Sequence, residues 1–82
     1  MTPESFDQPG KGELAARYAN YFEIGHNAAE FIVDFGQAYS TEKESHLHTR
    51  IVMSPAYAKA LQRLLEKSIE RHEQAYGGIR EE

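Results

Sequence analysis

Apolar and polar residues alternate in three short segments of the chain, at residues 20–25, 30–36 and 46–53. A period of two is typical of a β-strand that buries one of its faces. The segments between them are polar or contain turn-forming residues such as Gly25 and Asn27. The pattern therefore predicts three antiparallel strands that are joined by loops.

The three predicted strands fit one register, in which Phe22 pairs with Val33 and Val33 pairs with Ile51. One side of the sheet, the apolar face, then carries Phe22, Ile24, Phe31, Val33, Phe35, Leu47, Thr49, Ile51 and Met53. The other side, the charged face, carries Tyr21, Glu23, Ile32, Asp34, His48, Arg50 and Val52. In this register Asp34 lies opposite Arg50, which predicts a charged cluster made of Glu23, Asp34, His48 and Arg50.

From Ser54 onward the pattern changes to a helical period. Serine is a favoured N-cap and proline is tolerated at the first helical position, so the helix is predicted to begin at Ser54-Pro55. It should end near Tyr76, because Gly77 and Gly78 can close a helix. An arc of about 140° forms an apolar stripe that also contains Ser68 and His72. Its other members are Tyr57, Ala58, Leu61, Leu64, Leu65, Ile69, Ala75 and Tyr76.

These elements predict an α+β fold, a three-stranded antiparallel sheet followed by one long C-terminal amphipathic helix. We expect the first half of the helix to cover the apolar face of the sheet. The predicted core is Phe31, Val33, Phe35, Ile51, Leu61 and Leu65. Since strands lie about 4.8 Å apart, the second half of the helix should extend past the sheet and meet a second chain. The candidate dimer interface is Leu65, Ile69, His72 and Tyr76.

Length and composition support one small domain that pairs with another copy. The 82 residues are 40% hydrophobic, which suffices for a small core but leaves marginal stability. Without cysteine there are no disulfides or thiolate metal sites, so oligomerisation is the expected additional source of stability. We predict a flexible tail at residues 1–17, a single domain at 18–79 and a short tail at 80–82.

Charge and hydropathy limit the classes of partner and the cell compartment that we expect for this protein. The net charge of −4 argues against a phosphate-backbone partner, because such proteins normally carry a basic face. A basic stripe of Lys59, Arg63, Lys67 and Arg71 on the helix has glutamates beside it that neutralise it. No apolar run reaches the roughly 18 residues of a membrane span, and the N-terminus lacks a secretory pattern. We therefore expect a cytoplasmic protein with no membrane association.

The histidines are the residues with the most chemical potential. His46 and His48 are spaced to share a strand face near Glu42 and Glu44, which leaves open either a metal site or a polar strand edge. His26 is expected to be structural, in a turn. His72 is interpreted as an interface residue, with a pH-sensitive contact or a ligand group as the alternative. No nucleophile or phosphate loop is recognisable, so we predict no catalytic residue, no cofactor and no enzymatic activity.

Three sequence segments together resemble a known family. They are residues 18–22 (YANYF), 30–35 (EFIVDF) and 50–61 (RIVMSPAYAKAL), followed by an aromatic-Gly pair at Tyr76-Gly77. This combination is similar to a family of short bacterial and archaeal proteins that is catalogued as a domain of unknown function. The resemblance covers about residues 18–79. It implies the strand-strand-strand-helix order and carries no catalytic or binding residues over to this chain.

Three hypotheses about function follow. The first is a small dimeric protein-interaction module, an adaptor or accessory subunit with an unidentified protein partner. The second is a nucleic-acid-associated regulator that uses the basic stripe or the charged face. The third is a metal-dependent accessory enzyme that uses His46, His48, Asp34 and His72.

Overall fold

The computed structural model describes residues 14–40 and 45–81. It contains strands β1 (Tyr21–His26), β2 (Phe31–Gln37) and β3 (His46–Met53), followed by helix α1 (Pro55–Tyr76). The three strands form one antiparallel sheet in the order β1-β2-β3. The α+β fold predicted from the hydrophobic pattern is confirmed, and β1 and β2 each begin one residue later than expected.

The register between β1 and β2 differs from the predicted one but keeps each side chain on its predicted face. Phe22 pairs with Phe35 and Ile24 pairs with Val33, so the predicted pair of Phe22 and Val33 is wrong by two residues. A shift of two leaves every side chain on its own face. The predicted pairing of Val33 with Ile51 is confirmed. The rings of Phe22 and Phe35 pack edge to face with centroids 5.7 Å apart. This contact stabilises the pairing of β1 with β2 on the apolar face.

The connection between β1 and β2 is organised by Asn27. Its side-chain oxygen accepts hydrogen bonds from the backbone N–H groups of Ala29 and Glu30. The backbone N–H of Asn27 donates to the Glu30 carbonyl. Asparagine is suited to this because its short side chain can bond to backbone groups a few residues ahead. His26 was expected in the turn, but it is the last residue of β1. Its ring stacks there on the Phe31 ring, with centroids 5.4 Å apart.

A β-bulge interrupts the pairing of β2 with β3 after Phe35. Phe35 pairs with Thr49 but Gly36 pairs with Leu47, so His48 is the extra residue of β3. The backbone of β3 approaches Gly36 closely: a Cβ atom there would lie 2.9 Å from the Cα of Leu47 and collide with the His46 carbonyl. Only glycine leaves room for this approach.

The bulge corrects the predicted faces for two residues. Leu47 pairs with Gly36, whose neighbour Phe35 is on the apolar face, so Leu47 lies on the charged face. His48 joins Thr49 instead, and its Nδ1 lies 2.7 Å from the Thr49 Oγ1. Strict alternation predicted the opposite faces for Leu47 and His48. One extra residue in β3 moves the residues on the N-terminal side of the bulge to the other face.

The segment before β1 is tied to the far end of the sheet. Asn20 accepts a hydrogen bond from the Ala38 N–H and donates one to the Ala38 carbonyl, and its backbone N–H donates to Gly36. The Arg17 guanidinium donates to the His48 carbonyl at 3.3 Å. Of the tail predicted at 1–17, residues 1–13 lie outside the described part of the chain, and the described remainder runs beside the bulge.

Helix α1 has the predicted ends. The Ser54 Oγ accepts a hydrogen bond from the Tyr57 N–H, and Pro55 occupies the first helical position. At the other end Gly77 has a φ of 92°, and its N–H donates to the Glu73 carbonyl at 2.8 Å. A positive φ is accessible to glycine without steric cost, which explains why the helix ends at this residue.

The helix does not pack on the sheet of its own chain. No apolar side chain of the described residues is fully buried, and every helix residue after Ala58 is exposed. The predicted core is thus wrong for a single chain: Ile51 is 44% exposed and Leu61 is 45% exposed. Phe31, Val33 and Phe35 are only partly covered.

Candidate functional site

An ion pair at the centre of the charged face joins β2 to β3. Asp34 lies directly opposite Arg50, and the pair is bidentate, with Nε to Oδ1 and Nη2 to Oδ2 both 2.8 Å. Asp34 is 6% exposed, whereas the Arg50 side chain remains mostly in solvent. A planar guanidinium that matches both carboxylate oxygens fixes the geometry of the two strands. The predicted pairing of Asp34 with Arg50 is confirmed.

The charges of this pair support each other electrostatically. The hydrogen bonds from Arg50 hold the pKa of Asp34 below its ordinary value, against the opposing effect of burial. Those hydrogen bonds and the Asp34 charge raise the pKa of Arg50, and the negative charge of Glu23 adds to this. Asp34 is therefore an ionised carboxylate that accepts hydrogen bonds. It lacks the raised pKa of a typical general acid near neutral pH.

Glu23 belongs to the charged face, as predicted, but pairs with a tyrosine. It lies opposite Asp34 in the register of β1 with β2, and its Oε2 accepts a hydrogen bond of 2.6 Å from the Tyr21 hydroxyl. The two side chains lie on one face of β1 because they are two residues apart. Glu23 thus contributes negative charge near Arg50.

His48, the fourth member of the predicted charged cluster, lines a shallow depression together with Asp34 and Arg50, but its ring makes its hydrogen bonds elsewhere. Its ring nitrogens lie 2.7 Å from the Thr49 Oγ1 and 3.0 Å from the Tyr18 carbonyl oxygen. It also lines a depression with Phe35 and the segment before β1. With both nitrogens engaged, His48 holds that segment against the bulge. The hydrogen bonds of His48, Asn20 and Arg17 together attach the segment before β1 to the sheet. The alternation pattern did not predict this attachment.

The metal site that the sequence left open at His46 and His48, as the alternative to a polar strand edge, has no support among the described residues. There, no group of three or more histidine, cysteine, aspartate or glutamate side chains is arranged to hold a metal ion. Glu42 and Glu44, the proposed carboxylate ligands, lie outside the described part of the chain. The His46 ring lies 6.1 Å from the Tyr39 ring, centroid to centroid.

The apolar stripe of α1 is open to solvent along its length. Among its large side chains, the exposed ones are Tyr57, Leu61, Leu64, Leu65, Ile69 and Tyr76. All four residues of the predicted interface, Leu65, Ile69, His72 and Tyr76, lie in this exposed stretch. The rings of His72 and Tyr76, one turn apart, contact each other with centroids 4.9 Å apart. The stripe is a continuous apolar surface with a histidine near its end.

The apolar face of the sheet is the second uncovered surface. Phe22, Ile24 and Ile51 are exposed there, beside the partly covered side chains of β2. Soluble monomers rarely leave a contiguous apolar patch of several such side chains open, and larger patches mark interaction sites. A chain with two such surfaces is suited to protein–protein contact. Across the described residues, moreover, no helix is long and apolar enough to cross a membrane.

Comparison with known proteins identifies a family. The model of a family described as "Protein of unknown function (DUF3467)" matches residues 4–81. This match extends further toward the N-terminus than residues 18–79, where the sequence motifs lie. No curated protein and no solved structure matches the chain.

Proposed function

The chain belongs to the DUF3467 family, and we propose that it is a small dimeric protein-interaction module, an adaptor or accessory subunit rather than an enzyme. One observation carries the proposal: the apolar stripe of α1 and the apolar face of the sheet are both uncovered in a single chain. Burial of apolar surface is the main favourable term in protein association. A cytoplasmic location is part of the same proposal and stays a prediction.

The dimer is tested by the mass of the protein in solution. We expect sedimentation equilibrium at micromolar concentration to give twice the chain mass of 9.3 kDa. A Leu65→Glu variant should sediment as a monomer, because it places a charge in the stripe. Gln74→Glu, on the exposed polar side of the same helix, is the matched control and should remain a dimer. A wild-type protein that stays at 9.3 kDa across this range would contradict the proposal.

The adaptor role requires a surface that the dimer leaves free. The charged face offers one, because Val52 and Leu47 are exposed there beside the ion pair of Asp34 and Arg50. We expect a protein partner to co-purify in a fixed ratio with the wild-type protein. A Val52→Asp variant should lose that partner and keep the dimer mass. If both proteins retain the same partner, the charged face is not the binding surface.

A further inference from the structure

We infer that the dimer forms by exchange of helices: α1 of each copy lies on the apolar face of the other copy's sheet. The inference rests on the proposed function, since it specifies how the proposed dimer is built. Three features of the single chain support it: the connection between β3 and α1, the two uncovered surfaces and the width of the stripe.

The connection explains why the helix does not cover its own sheet. β3 ends at Met53 and α1 begins at Pro55, so Ser54 alone joins them. Ser54 is extended, with φ −70° and ψ 159°, and its carbonyl already accepts the first helical hydrogen bond, from Ala58. Connections that reverse the chain between a strand and a helix usually need about 2–6 residues. With one residue, α1 leads away from the sheet.

The two uncovered surfaces are both apolar. On the helix alone, the exposed apolar side chains present an area on the order of 800 Å², which is what each partner contributes to a standard interface. A dimer held together only by the two helices would leave Phe22, Ile24 and Ile51 in solvent. Exchange covers the apolar face of the sheet together with the half of the stripe that begins at Tyr57.

The stripe is also better matched to a sheet than to a second helix. Its arc of about 140° is wider than the seam of a two-stranded coiled coil, and typical of a helix that faces a layered core. Ser68 and His72 lie in the middle of the arc, where a helix pair would bury them. A three-stranded sheet covers only about half of a helix of 22 residues, which is ~33 Å long. The half that begins at Tyr57 can lie on the partner's sheet while His72 stays near the rim.

Two chains related by a two-fold axis can exchange helices and form a closed dimer. Each chain supplies one helix and one sheet face, so a two-fold axis with two identical interfaces is the smallest closed arrangement in which every helix meets a sheet. The occupant of both surfaces is therefore a second copy of the chain.

Cross-linking between single-cysteine variants tests the exchange. The natural chain has no cysteine, so each introduced thiol is unique. Ile24→Cys reports on the sheet and Leu64→Cys on the helix. These positions are 67% and 68% exposed, so neither substitution disturbs the packing of one chain. The two variants, carrying different tags, are refolded together and treated with a short bismaleimide. We expect the mixed product of Ile24→Cys with Leu64→Cys to dominate. Product should be lost when Arg63→Cys, on the polar side of the helix, replaces Leu64→Cys.

Sedimentation of the same samples separates the possible failures. A dimer in which Leu64→Cys links mainly to itself would overturn the exchange in favour of a helix pair. A dimer in which neither surface links would overturn it as well. A monomeric wild-type protein would refute the proposed dimer itself. The Ile51→Cys and Leu61→Cys pair, on the same two surfaces, repeats the test in case either first variant does not fold.

Discussion

At the scale of single residues, local chemistry determines where α1 begins. The Ser54 Oγ accepts the Tyr57 N–H, one of the four N–H groups that have no partner within a helix. We predict that Ser54→Ala lowers the free energy of unfolding by about 1 kcal/mol. Denaturant midpoints at one protein concentration measure this. Ser54→Asp keeps an acceptor at the N-cap and should behave like the wild type. Equal midpoints for Ser54→Ala and wild type would contradict the role of this cap.

The second prediction at this scale concerns pH and Asp34. Its pKa in the folded chain is held below the ordinary value of 3.8 by the hydrogen bonds from Arg50. The unfolded chain therefore takes up the proton first as the pH falls. The stabilisation by the pair is fully present above about pH 4 and is lost as the pH falls through the lowered pKa.

Denaturation across this acidic range is the measurement. Asp34→Asn should be less stable than wild type at neutral pH and should lose less stability on acidification. Its partner Arg50 is largely solvated, so removing the carboxylate leaves no buried charge. Glu66→Gln, on the exposed polar side of the helix, is the matched control and should keep the wild-type slope. An unchanged slope in Asp34→Asn would show that another carboxyl group dominates acid unfolding.

At the scale of elements, the pairing of β2 with β3 depends on the bulge and on Gly36. The β3 backbone occupies the space that a side chain at Gly36 would need. We predict that Gly36→Ala destabilises the fold by roughly 1–3 kcal/mol, the usual cost of overpacking. Gly25→Ala is the matched control, because nothing lies within 4 Å of a Cβ atom at that strand position.

Gly25→Ala should leave the stability equal or slightly higher, since alanine restricts the unfolded chain more than glycine does. Denaturant midpoints of both variants and the wild type give the comparison. If both substitutions have the same effect, the close approach at the bulge does not constrain the chain.

The same scale shows how far strand patterns predict a site. The strand pattern correctly placed Asp34 opposite Arg50, because β2 and β3 pair one to one without interruption from Phe31 to Phe35. It failed for His48 and Leu47, because the bulge adds one residue to β3 only. Nothing in residues 46–53 marks that insertion. The glycine in β2 was the available signal, since glycine within a strand often indicates a bulge or a close backbone approach.

At the scale of the whole molecule, the short connection at Ser54 should determine the oligomeric state. If one residue prevents α1 from returning to its own sheet, a longer connection should permit it. We predict that inserting about six glycine and serine residues between Met53 and Ser54 converts the dimer to a monomer. Sedimentation equilibrium should then give the mass of one chain.

A control insertion separates this effect from general destabilisation. The same residues placed after Gly78, beyond the end of α1, should leave the dimer intact. Circular dichroism should show unchanged helix content in both variants. A dimer that survives the insertion at Ser54 would contradict the proposed exchange of helices.

The sequence by itself determined the elements of this protein, their order and both ends of the helix. These features depend on neighbouring residues: the period of the hydrophobic pattern, Ser54-Pro55 at the start of α1, and Gly77 at its end. It also determined which residues form the apolar stripe, because a helix projects residues three and four apart on the same side.

Only the tertiary structure decided which surfaces meet. The direction in which α1 leaves the sheet depends on the backbone angles of Ser54, and the faces of His48 and Leu47 depend on an insertion in one strand. A hydrophobic pattern records that a side chain prefers burial, and it does not record which surface buries it. That is why the pattern predicted the stripe and, apart from the residues at the bulge, the apolar face of the sheet, while the core expected between them within one chain does not form.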